Sequence, residues 1–158
     1  MNKQVVVQDC KKRLLVIWLL CTGILSIVLI VQCMFGFYID YKTKIDHSSE
    51  AWNWLLPNVV PTLSIMIGIA VKEFGGNTGS TKRIDPFLYR LALWLSVSYF
   101  LVLMAIPFSS PALPDNIQLI DVYKTSMLWI SPFQGIVSGA LGFFFAKAGE
   151  PEINLQTN

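Results

Sequence analysis

Four long runs nearly free of charge constrain this chain more than any other feature. They cover residues 14–36, 52–71, 87–108 and 126–146, and only the third is interrupted, by Arg90 near its start. Each is about 20 residues or slightly longer, enough for a helix rising about 1.5 Å per residue to cross a hydrocarbon core of roughly 30 Å. Backbone N–H and C=O groups find no water in that core, so each run is read as a helix that pairs them internally. Composition agrees, with 54% of residues hydrophobic and 14% charged, against the roughly 25% charged residues of a soluble domain. The expected fold is an all-α membrane protein: four transmembrane helices in an antiparallel bundle, forming a single domain over residues 1–158 and assembling as a homo-oligomer. Short connections favour the up-down-up-down order.

The first run follows "KKRLL", a lead that would suit a secretory signal. Its apolar stretch exceeds the roughly 7–15 residues of such a segment and no small-residue cleavage site follows, so a retained signal anchor is expected. Lys and Arg then set the orientation. Lys3, Lys11, Lys12, Arg13, Lys72, Lys82, Arg83, Arg90 and Lys147 flank one side of the bilayer; Lys42, Lys44 and Lys124 flank the other. Basic residues accumulate on the cytoplasmic side, which places both termini and the middle loop in the cytoplasm of a bacterial inner membrane. Aromatic residues fall near the boundaries: Trp52, Trp54 and Trp129 with Phe35, Phe37, Tyr38 and Tyr41 outside, Trp18 and Trp94 toward the inner leaflet. Headgroup anchoring is their expected role.

Chemistry-bearing patterns are sparse. The middle loop, "KEFGGNTGSTKRIDPF", lacks the Gly-Lys-Ser/Thr ending and the preceding strand of a phosphate loop, so it reads as a flexible connector. Its Lys82 and Arg83 are expected to meet lipid headgroups or a cytoplasmic partner. The chain has one histidine, His47, in an outer loop, and no Asp, Glu, Lys or His near a bilayer centre, where ion-coupled transporters place functional charges. Catalysis, a cofactor, a metal and direct nucleic-acid binding are therefore not expected.

Two helices carry the remaining signal. The second contains Pro57, Asn58 and Pro61, where proline removes a backbone donor and a kink is expected. The fourth contains "SPFQGIVSGALGFFFAK", in which small residues recur four apart as Ser131-Gly135-Gly139 and Ser138-Gly142. Such a face lets another helix approach closely in lipid, either a neighbour in the same bundle or a helix of a second copy. Gln134 beside them needs a hydrogen-bonding neighbour or water. The residues expected to line an oligomer contact or a pore are Ser131, Gln134, Gly135, Ser138, Gly139, Gly142 and Asn58.

In length, four spans, cytoplasmic termini, a proline-bearing second helix and a glycine-rich fourth, the chain resembles the KwaA membrane subunits of bacterial Kiwa anti-phage systems. The likeness covers most of the chain and lies in layout rather than a short motif, so it carries no site residues across. It implies a homo-oligomer, a tetramer by preference, that senses membrane disturbance and works with a cytoplasmic nucleic-acid-handling partner, KwaB. Three functional classes follow: a sensor or scaffold of this type, an oligomeric pore that depolarises the membrane, and a small-solute transporter.

Overall fold

The computed structural model describes residues 7–39, 44–75, 86–109 and 118–147. Four α-helices account for nearly all of them: α1 (Val7–Met34), α2 (Ser48–Gly75), α3 (Pro86–Phe108) and α4 (Leu119–Lys147). Each is long and apolar enough to cross a membrane. The helices outrun the uncharged segments. α4 begins at Leu119 rather than near residue 126, taking in Asp121 and Lys124, because charge ends a hydrocarbon span without ending a helix. Asp121 in that first turn also complements the positive end of the helix dipole.

Helix ends follow from local chemistry. α1 closes on Gly36, whose φ of 71° is the left-handed conformation that glycine adopts without penalty. Its N–H bonds Cys33 O at 3.1 Å and the Phe37 N–H bonds Gln32 O at 3.1 Å, which is a Schellman cap. The chain then turns so that the His47 N–H reaches Tyr38 O at 3.0 Å. Before α2, the Asp46 carboxylate accepts the Ser48 hydroxyl at 2.6 Å and the Ser48 N–H at 2.9 Å. These bonds hold its carboxyl below the usual range. α3 starts with Pro86, whose missing N–H is no loss in a first turn.

Side-chain pairs give the arrangement. Along α1 and α3 the contacts advance together, Trp18 with Ser96 and Gln32 with Pro107. Along α2 and α4 they also advance together, Trp54 with Ser126 and Thr62 with Ser138. Along α3 and α4 they run oppositely, Tyr99 with Phe133 and Tyr89 with Phe144. Met34, Ser48, Phe108 and Leu119 thus share one end of the bundle, here termed distal, and Val7, Gly75, Pro86 and Lys147 share the proximal end.

The core is a line of Leu, Val, Met and aromatic side chains down the axis, among them Leu14, Leu25, Leu29, Val59, Met66, Leu103 and Phe144. Burial divides the tryptophans. Trp94 and Trp129 are 68% and 48% exposed, as an anchoring role requires, but Trp18 and Trp54 are 0% and 1% exposed. Those two, and Tyr38, belong to the interior rather than to an interfacial belt, because each has a polar partner there for its N–H or O–H. Arg90 is exposed in the first turns of α3.

Candidate functional site

The seam between α2 and α4 concentrates the polar side chains. Four contacts climb it in register from the distal end: Lys124 Nζ to Glu50 Oε2 at 2.6 Å, Trp54 Nε1 to Ser126 Oγ at 2.9 Å, Gln134 Nε2 to Pro57 O at 2.8 Å, and the Thr62 and Ser138 hydroxyls at 2.6 Å. Glu50 also takes His47 Nδ1 at 2.7 Å, so both of its oxygens are engaged.

The third contact follows from proline chemistry. In an α-helix the N–H of residue i bonds the carbonyl of i−4. Pro61 has no N–H, so Pro57 O loses its helical donor, and Gln134 of α4 supplies one. Gln134, costly in lipid without a partner, and Pro61, which orphans a carbonyl, therefore solve each other's deficit. Neighbouring carbonyls are engaged as well. Asn58 Nδ2 donates to Trp54 O at 2.7 Å, and Tyr99 Oη of α3 donates to Asn58 O at 2.7 Å. Asn58, expected to line a contact or pore, is 2% exposed and lies inside the protomer. α2 stays helical through both prolines.

Beside the seam lies the small-residue face of α4. Ser131, Gly135 and Gly139 are exposed, and Ser138 and Gly142 are half-buried. A Cβ added at Gly135, Gly139 or Gly142 meets no heavy atom within 4 Å, and the same holds for Gly68 of α2. Within the protomer, then, no neighbouring helix uses these glycines for close approach; only Ser138 turns inward to Thr62. Lys82 and Arg83 lie outside the described residues.

At the distal end a second buried cluster joins three helices, and sequence reading did not find it. Gln32 of α1 donates from Nε2 to Pro107 O at 3.0 Å and accepts the Tyr38 hydroxyl on Oε1 at 2.5 Å. Since the one proton of Tyr38 is directed to Gln32, the contact of 3.0 Å between Tyr38 and Tyr123 oxygens is donated by Tyr123. Burial pushes the Tyr38 hydroxyl up to about 12, so it remains a donor at physiological pH. Tyr123 also packs its ring on Trp54 at 4.7 Å between centroids, linking this cluster to the seam. The available signal was a lone glutamine in an uncharged run, with one tyrosine just past the end of its own helix and another in the first turns of α4; most partners were illegible because they sit 75 to 91 residues away.

Among the described residues, no three His, Cys, Asp or Glu side chains gather closely enough to hold a metal ion. No protein-family model matches the chain, and no curated protein or solved structure matches it either.

Proposed function

We propose that this chain is a non-enzymatic integral membrane subunit that self-associates through the small-residue face of α4 and acts as a sensor or scaffold for a cytoplasmic protein. One observation carries the reading: Gly135, Gly139 and Gly142 have open space where a Cβ would stand. In lipid, helices associate through close backbone contact rather than hydrophobic drive. A glycine face left free by the protomer's own packing suits a second copy, and a homotetramer is the favoured size.

In this reading the helices alternate direction across a bacterial inner membrane, with both termini and the loop bearing Lys82 and Arg83 in the cytoplasm, where the basic residues gather. The distal end then faces outward. The resemblance to KwaA subunits supplies the setting, anti-phage defence triggered by membrane disturbance, with a KwaB-like soluble partner that handles nucleic acid while the membrane subunit does not. Pore formation is the second reading. It is weakened because Asn58 and Ser96, two polar groups available to wet a lumen, are committed to hydrogen bonds within the protomer.

The test is particle mass in mild detergent or nanodiscs, read with co-purification of soluble protein from the native host. Wild type is expected to be oligomeric, and Gly135→Leu and Gly139→Leu to be monomeric with unchanged helicity. An oligomer of unchanged size in both variants removes the α4 contact. Ion flux through wild-type proteoliposomes would move the assignment to the pore.

A further inference from the structure

The distal third of α2 is held unlike an ordinary helix segment. Pro57 and Pro61 together remove the donors for Asn53 O and Pro57 O, leaving the helical ladder incomplete on consecutive turns. Side chains from two other helices reach into this stretch: Gln134 of α4 to Pro57 O at 2.8 Å and Tyr99 of α3 to Asn58 O at 2.7 Å. α4 has its own interruption at Pro132, two residues before Gln134, which removes the donor for Leu128 O. Sharp bends in helices arise where the ladder is broken by proline. Both helices of the seam are thus weakened at one level, and the Gln134 amide spans the gap there.

We propose that α2 is hinged at Pro61 and that Gln134 is the positioning residue that pins it. With the Gln134 bond made, the segment above Pro61 is seated, placing the Trp54 indole on Ser126 and against Tyr123. With it broken, Pro57 O has no helical donor to return to, and the segment swings until another polar group satisfies it. The bond lies at the exposed surface of the protomer, and Gln134 adjoins the exposed Gly135. A helix laid on that face would confine the Gln134 side chain to the rotamer that meets Pro57 O, so assembly and hinge closure reinforce each other. That coupling rests on the association proposed above; the hinge itself does not.

The decisive experiment is a double-mutant cycle on the full chain in lipid nanodiscs. The chain carries 5-fluorotryptophan, and the Trp54 ¹⁹F resonance is assigned through Trp54→Phe. Gln134→Leu is expected to raise the population of a displaced Trp54 state about threefold to tenfold, the range implied by hydrogen bonds between membrane helices. Pro61→Ala restores an N–H for Pro57 O, so in that background Gln134→Leu should have no effect. Gln134→Met, similar in length but without a donor, should behave as Gln134→Leu and serves if the latter fails to fold. The proposal is overturned if the Trp54 resonance does not respond to either Gln134 variant, or responds equally in the wild-type and Pro61→Ala backgrounds. Particle mass measured on the same samples keeps the readings apart. A non-additive cycle in a monomeric wild type supports the hinge and removes the assembly, and an additive cycle in an intact oligomer does the reverse.

Discussion

Trp18 donates its indole N–H to Ser96 Oγ at 3.0 Å, and Ser96 donates in turn to Ala92 O at 2.7 Å. A single hydroxyl thus satisfies a fully buried indole of α1 while its own proton returns to the α3 backbone. The indole also stacks near Tyr99 and meets Phe100 edge-on at 4.8 Å. Ser96→Ala removes the acceptor and strands the Trp18 N–H in an apolar interior, at an expected cost of about 1–3 kcal/mol. In a Trp18→Phe background that donor is gone, so the same change should cost clearly less. Reversible unfolding in mixed micelles, run on the four members of the cycle, measures the difference. Equal costs in both backgrounds would show that the indole does not depend on Ser96.

Gln32 should matter more than Tyr123 at the distal end, although both belong to one cluster. Gln32→Leu leaves both Pro107 O and the Tyr38 hydroxyl without the partners it supplies. Tyr123→Phe removes a single donor, and Tyr38 keeps its bond to Gln32. The expected losses are about 1–3 kcal/mol for Gln32→Leu, which strands Pro107 O while Tyr38 can turn its proton to Tyr123, and about 0.5–1.5 kcal/mol for Tyr123→Phe. The same unfolding assay ranks them, and a reversed order would mean that the tyrosine pair, rather than the glutamine, holds the helix ends together.

Particular residues show what the sequence made legible. Four helices were readable because a hydrocarbon core imposes one length and one backbone solution on any span. Helix ends were less so: the first two turns of α4 carry Asp121 and Lys124, which a search for uncharged runs discards. From sequence Trp18 and Trp54 look like anchors because an indole serves equally well at a headgroup or in a core, and only the distant Ser96 and Ser126 decide which. Gln134 was recognisable as a group needing a partner, but the partner is a backbone carbonyl set free by a proline far back in the chain, Pro61. The spacing of Ser131, Gly135 and Gly139 was plain from the start. What it faces depends on how α4 is rotated, and rotation is set by contacts with α2 and α3 that no local pattern records.

Gly139→Ala should move two properties in opposite directions. Within the protomer the new methyl meets nothing within 4 Å, while glycine in a helix interior is about 0.5–1 kcal/mol less favourable than alanine. The protomer is therefore expected to become more stable to unfolding by roughly that amount. If α4 packs on a second copy through this face, the same methyl holds the two backbones apart and removes contacts that drive association in lipid, so the oligomer should dissociate at higher protein-to-lipid ratios than wild type. Gly142→Ala, also open inside the protomer but half-buried, provides the neighbouring comparison. Unfolding followed by circular dichroism reports the first property, and dilution-dependent FRET in vesicles the second. A gain in protomer stability with unchanged association would leave the glycine face turned to lipid alone. A loss of protomer stability would mean that α4 is rotated from the position in which these glycines stand free.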